Sequence, residues 1–269
     1  MTHSKVILVG CGNMGFAMLK GWLDSGKLTT RQVEVVEPSD ALRERAAGLG
    51  VSVHASAQGP APSGDALVIL AVKPQVIAKV AAEYRAFAQA GATFLSIAAG
   101  TPVSALEAAL GDGTAIIRCM PNTPAAIGKG MMVLYAGGSV STEAVSAVEE
   151  LLAANGMVET IRDEELMHAV TAVSGSGPAY LFHFIECLAA AGEKAGLPSA
   201  TAAKLAMQTA YGAASLAAAS NDTPTRLREQ VTSPNGTTAA ALDVLMGPMG
   251  ELVNEAVEAA RKRSEELGR

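Results

Sequence analysis

The chain has 269 residues, enough for one large domain or two ordinary ones, with 49% hydrophobic, 17% charged and 4% aromatic residues. A formal charge of −6 with no basic cluster gives no support to a nucleic-acid partner. Three scattered cysteines without a Cys-x-x-Cys pair exclude a disulfide scaffold or thiolate zinc site, so no metal is expected.

In chain order, Lys5-Val6-Ile7-Leu8-Val9 reads as a short buried strand that no signal-peptide pattern precedes. It runs into Gly10-Cys11-Gly12-Asn13-Met14-Gly15, a Gly-x-Gly-x-x-Gly turn opening a helix. Gly10 permits the tight turn, Gly12 lets backbone approach a pyrophosphate, and Gly15 lets helix and strand pack closely. Asn13 and Met14 complete a set of N–H groups at a positive helix end, suited to phosphates. Such turns also occur for purely structural reasons.

The helix from Asn13 to about Ser25 is capped by Gly26, and Val33–Glu37 forms a second strand. Glu37 lies 22 residues after Gly15, where an acid accepts from the ribose hydroxyls of an adenine nucleotide. Alone, it reads better as an ordinary strand-end carboxylate in water; the glycine turn upstream brings the two readings level. Pro38-Ser39-Asp40 caps a helix to about Leu49, and Val51–Val53 is a short strand before a Gly/Pro/Ser-rich loop at 58–64. Ala66–Ala71 is a continuous apolar run, stopping at Val72-Lys73-Pro74, where Pro74 opens the next helix. Further strands are expected at 93–97, 115–119, 131–135 and 157–161, with a helix ending at Asn155-Gly156 between the last two.

This alternation predicts an α/β fold: a doubly wound, Rossmann-type, mostly parallel sheet. Its ligand edge comprises the loops 10–15, 37–40, 72–74, 98–100 and 120–124. From about Arg162 no strand is convincing, and the remainder reads as all-helical. One helix starts near Asp163 and is interrupted by Ser174-Gly175-Ser176-Gly177-Pro178. A second spans Pro198–Ser220, a third begins near Thr237 and breaks at Gly247-Pro248, and the last covers Met249–Leu267. The boundary is placed at 161, giving a dinucleotide-binding domain over 1–161 and a helical domain over 162–269. The apolar run 169–192 carries Gly, Pro, His183 and Glu186 and reads as a buried or interface helix, not a membrane span. A cytoplasmic protein is expected.

Hydrolytic chemistry finds no support: Ser174-Gly175-Ser176-Gly177 lacks nucleophile-elbow spacing, and the four histidines form no ligand motif. Val231-Thr232-Ser233-Pro234-Asn235-Gly236-Thr237-Thr238 instead offers free N–H groups, hydroxyls and a helix N-terminus, which suits a small carboxylate. Thr238 is placed for a hydroxyl near a reacting nitrogen; a helix N-cap, as at Thr237, is the competing reading.

Taken together, these segments resemble the Δ1-pyrroline-5-carboxylate reductase family over nearly the whole length. The likeness rests on Val9–Gly15, Ala71–Gln75, Ser96–Gly100, Arg118–Pro124, Ser174–Tyr180 and Val231–Thr238. It implies reduction of a cyclic imine to L-proline by the hydride of NADPH or NADH. Gly10–Gly15 would hold the pyrophosphate, Val72, Lys73, Pro74 and Ala99 would line ribose and nicotinamide, and Asn122 would sit nearby. Ser233 and the backbone of Asn235, Gly236, Thr237 and Thr238 would grip the substrate carboxylate, with the catalytic Thr238 hydroxyl bonding the imine nitrogen. The helical domain would bind substrate and build homodimers or rings of dimers.

Three features depart from the family pattern. No asparagine occupies the loop 54–64, and Pro234-Asn235-Gly236 stands for Pro-Gly-Gly, where Asn tolerates a left-handed backbone. The second strand ends in Glu37, followed by Ser39 and Arg43, so a 2′-phosphate should be repelled. The alternatives are a β-hydroxyacid dehydrogenase-type oxidoreductase, whose inter-domain lysine has no counterpart between Ser176 and Cys187, or a non-catalytic dinucleotide-binding protein.

Overall fold

The computed structural model describes residues 5–57 and 64–268; the expected loop at 58–64 lies, except for Gly64, outside the described residues. Eight strands form one sheet: β1 (Lys5–Val9), β2 (Val33–Val36), β3 (Ser52–His54), β4 (Ala66–Leu70), β5 (Thr93–Ser96), β6 (Ile116–Met120), β7 (Gly130–Ala136) and β8 (Gly156–Ile161). Their order is β3-β2-β1-β4-β5-β6-β7-β8. Every neighbouring pair is parallel except β6 with β7. That exception has a plain cause: only a 3-10 turn, Thr123–Ile127, separates β6 from β7, too short for the crossover a parallel pair requires.

Six helices accompany the sheet: α1 (Asn13–Asp24), α2 (Asp40–Ala47), α3 (Pro74–Ala82), α4 (Arg85–Gln89), α5 (Val103–Leu110) and α6 (Thr142–Leu152). Strand side chains alternate between two cores, as the two-residue period demands. Leu8, Val35, Ile69 and Leu95 pack with Met18 and Trp22 of α1 and Val148 of α6. Ile7, Val9, Val68, Leu70 and Phe94 pack with Ile77 of α3 and Leu106 of α5. With layers on both faces, β4 is buried at every position, which explains its uninterrupted apolar sequence.

The chain forms two compact units, residues 1–176 with 260–269, and residues 177–259. The last strand ends at Ile161, and after it come α7 (Leu166–Val170), a π-helical turn at Thr171–Gly175, and α8 (Gly177–Lys194). The expected interruption at Ser174–Pro178 is thus a widened turn, in which the Ser176 N–H donates to the Thr171 carbonyl at 2.8 Å. Next come α9 (Ser199–Ala219), α10 (Pro224–Gln230) and α11 (Thr237–Leu267).

Two helical expectations are corrected. α10 went unforeseen, although Thr223-Pro224 is a cap and first-turn signature and the Thr223 hydroxyl accepts from the Arg226 N–H at 3.3 Å. The break expected at Gly247-Pro248 does not occur, and α11 continues through Pro248. A proline removes a single donor, and the 31-residue α11 carries that loss without ending. In the second unit α8 and α9 approach closely through small residues: a Cβ on Gly192 would lie 3.3 Å from the Ala202 methyl.

Candidate functional site

Five parallel strands, β1, β2, β4, β5 and β6, end on one edge of the sheet, and the order in which strands are added reverses between β1 and β4. Crevices of this kind receive ligands in doubly wound sheets. The structure brings Gly10–Gly15, Glu37, Ser39, Val72, Lys73, Pro74, Ala99 and Asn122 to this edge, each in the loop or first turn after its strand.

The three turn glycines have separate steric causes. Gly10 has φ +90°, and a Cβ there would strike the Ala71 carbonyl at 2.6 Å and Val72 Cγ1 at 2.9 Å. At Gly15 a Cβ would strike the Gly10 carbonyl at 2.6 Å. Gly12 has open space within 4 Å, and no side chain caps α1 there. Uncapped N–H groups at a helix start, beside an unfilled space, fit the phosphates of a dinucleotide. Cys11 is fully buried, and burial pushes its thiol up to about 11, with the nearby Arg45 lowering it and Glu37 raising it. It stays protonated at neutral pH and is no nucleophile.

Glu37 is only 6% exposed, so it is not a carboxylate in water. Its Oε2 accepts from the Cys11 N–H at 2.8 Å and its Oε1 from the Ser39 N–H at 2.9 Å. Arg43 Nη1 donates to the Glu37 carbonyl at 2.9 Å. Arg45, which no sequence motif marks, donates through Nη2 to the Cys11 carbonyl at 2.8 Å. The one available signal was its position on the α2 turn that follows β2.

Farther along the edge, Pro74 opens α3 as expected, and Lys73 is its exposed cap residue. Ala99 precedes Gly100, whose φ of +76° carries that loop past the Ser264 carbonyl at the end of α11. Asn122 is 8% exposed and has both ends of its amide engaged. Its Oδ1 accepts from the Met131 N–H at 2.9 Å, and its Nδ2 donates to the Ser174 carbonyl at 3.0 Å. Four residues beyond Ser174 stands Pro178, which has no N–H, so Asn122 supplies the donor that the helix lacks. Behind this loop, Arg118 (4% exposed) bonds Glu164 at 2.7 Å, and the same carboxylate oxygen accepts from the Val103 N–H at 2.7 Å.

Ser233, Asn235, Gly236, Thr237 and Thr238 belong to the second unit. Asn235 has φ +58°, the left-handed conformation expected for it, and is alone among described non-glycine residues in having positive φ. The Gly236 N–H donates to the Ser233 carbonyl at 3.0 Å, closing a turn that delivers the chain to α11. Thr237 and Thr238 are the first two residues of α11, not its cap. The turn is braced by the Thr232 hydroxyl, which donates to the Arg228 carbonyl of α10 at 2.6 Å. Among the described residues no cluster of His, Cys, Asp or Glu is arranged to hold a metal ion, and no helix is long and apolar enough to cross a membrane.

Comparison with known proteins adds independent findings. The family model for pyrroline-5-carboxylate reductase dimerisation matches residues 164–267. The model for NADP oxidoreductase, coenzyme F420-dependent, matches residues 5–100. A pyrroline-5-carboxylate reductase of Pseudomonas aeruginosa is 39% identical over 268 residues, covering 99% of this chain and 98% of that one. The structure of a pyrroline-5-carboxylate reductase from Coxiella burnetii superposes with a TM-score of 0.93 at 33% identity, covering 100% of both chains. A Plasmodium falciparum pyrroline carboxylate reductase, solved with NADP bound, gives a TM-score of 0.85 at 27% identity, again over 100% of both.

Proposed function

Because the chain belongs to the pyrroline-5-carboxylate reductase family, we propose that it reduces 1-pyrroline-5-carboxylate to L-proline, the last step of proline biosynthesis. The observation that carries this reading is the left-handed turn at Asn235, which presents Ser233 and the N-terminus of α11 as an anion site. Ser233, Asn235, Gly236, Thr237 and Thr238 hold the substrate carboxylate there.

NADPH or NADH supplies the hydride when bound, and the residues at the sheet edge suit it sterically. Gly10, Gly12, Asn13, Met14 and Gly15 hold the pyrophosphate, and Glu37 and Ser39 lie on the adenosine side. Val72, Lys73, Pro74 and Ala99 line the ribose and nicotinamide, with Asn122 beside them. The Thr238 hydroxyl donates a hydrogen bond to the imine nitrogen, the atom that gains a proton. Catalysis by these side chains is positioning and electrostatics.

Residues 1–161 act as the cofactor-binding domain and 162–269 as the substrate-binding and dimerisation domain of a cytoplasmic homodimer or ring of dimers, with neither nucleic acid nor membrane as partner. The test is oxidation of NADH and of NADPH in the presence of pyrroline-5-carboxylate. Turnover is expected with both, and kcat/KM for NADH at least equals that for NADPH, because the Glu37 carboxylate disfavours a 2′-phosphate. Turnover only in reverse with 3-hydroxy acids selects a β-hydroxyacid dehydrogenase, and silence in both assays selects a non-catalytic binder.

A further inference from the structure

The two peptide units flanking Cys11 are each held by a charged side chain from outside the glycine turn. On one side, the Cys11 N–H donates to Glu37 Oε2, and on the other, the Cys11 carbonyl accepts from Arg45 Nη2, both at 2.8 Å. Both holders are themselves fixed. Glu37 is buried, with its second oxygen on the Ser39 N–H and its carbonyl on Arg43. Arg45 lies over the Phe16 ring of α1, 4.3 Å from its centroid, and reaches Asn13 Oδ1 at 3.4 Å.

Glycines permit a phosphate-binding turn, but they equally permit many conformations that bind nothing, and ordering such a turn on binding costs affinity. A carboxylate and a guanidinium placed on adjacent peptides remove that freedom in advance. Hydrogen bonds to ionised groups are the stronger kind, and these involve buried or half-buried partners.

We infer that Glu37 and Arg45 are positioning residues that preset the dinucleotide turn through Cys11, so that Glu37 acts on the cofactor mainly through the backbone. The inference rests on the reading that this turn holds a dinucleotide, and it adds Arg45 to the residues on which that binding depends. It also alters the weight of Glu37: its carboxylate oxygens already serve two N–H groups before any ribose arrives.

The test is calorimetric titration of the full-length protein with NADH and with NADPH, without imine, for wild type, E37Q, R45M and R45K. E37Q replaces one acceptor oxygen by a donor, so either Cys11 or Ser39 loses its partner. R45M keeps much of the apolar stem over Phe16 and removes the guanidinium. Kd is expected to rise for both cofactors, about tenfold for either one in R45M and for NADH in E37Q, and less for NADPH in E37Q, where the lost negative charge offsets part of the change. R45K recovers part of the loss, since it restores one donor. In turnover the change falls on KM for either cofactor, with a much smaller fall in kcat. E37Q weakening NADH while strengthening NADPH would overturn the inference, because Glu37 would then be a direct ribose and charge filter. A loss in R45M confined to NADPH would make Arg45 a phosphate ligand, and unchanged Kd values would remove both residues from positioning. If R45M does not fold, E37Q and R45K carry the same comparison. No imine is present, so an inability to reduce pyrroline-5-carboxylate leaves these readings intact.

Discussion

Thr238 sits in the first turn of α11, and its hydroxyl forms no hydrogen bond with another described residue. A capping threonine would have its oxygen committed to a backbone N–H. Thr238→Ala is therefore expected to lower kcat on the order of a hundredfold, the cost typical of losing one donor aimed at developing charge. NADH affinity should stay as in the wild type; undiminished turnover would make Thr238 an ordinary helix residue. Residue identity was legible here because the hydroxyls sit in a short motif beside a helix start. Glu37 was legible only in part. Its spacing from Gly15 marked it, but a spacing carries no information on which N–H groups its oxygens meet. Arg45 was legible only as a residue of the helix after β2, since its role comes from α2 folding back over the turn, a tertiary event without a local motif.

Among the elements, strand positions followed from apolar runs, and each observed strand lies within about a residue of its expected ends. The antiparallel β7 was foreseen only as a strand, because orientation depends on the short Thr123–Ile127 turn and not on β7 itself. The breaks expected at Ser174–Pro178 and at Gly247-Pro248 both rest on glycine beside proline, and the two sites behave differently. At Pro248 the helix absorbs the missing donor, whereas before Pro178 it widens into a π turn. Asn122→Ala takes the donor from the Ser174 carbonyl and the acceptor from the Met131 N–H, and should cost about 1–3 kcal/mol in urea unfolding. Pro178→Ala in the Asn122→Ala background returns an N–H to the helix and should recover part of that loss. Simple additivity of the two single changes would separate Asn122 from the proline.

At the scale of the whole molecule the two units differ in what they bury. The first has a core on each face of its sheet, while α8 contributes no buried residue and leaves Phe182 56% exposed. In α9, Tyr211 is 67% exposed and only Ala202 and Ala206 are buried. Helices this apolar and this uncovered gain little from their own chain, so a second copy is the natural cover. That agrees with the dimerisation model matching 164–267. Phe182→Glu is expected to shift the protein toward monomer in light scattering on dilution and to lower its melting temperature. A variant that keeps the wild-type mass at low concentration would place the interface elsewhere.

The end of α11 has a consequence for how the chain is made. Residues 260–269 belong to the first unit, where Ser264 meets His168 Nδ1 at 3.0 Å and a Cβ on Gly268 would strike the Gly100 carbonyl at 2.3 Å. Synthesis at about 5–20 residues per second delivers those residues several seconds after the sheet has left the ribosome. The first unit therefore waits for a segment that is made only after the whole of the second unit. During that interval the loop at Gly100 waits without its final neighbour, and that edge of the sheet gains its lasting shape only once α11 has been made.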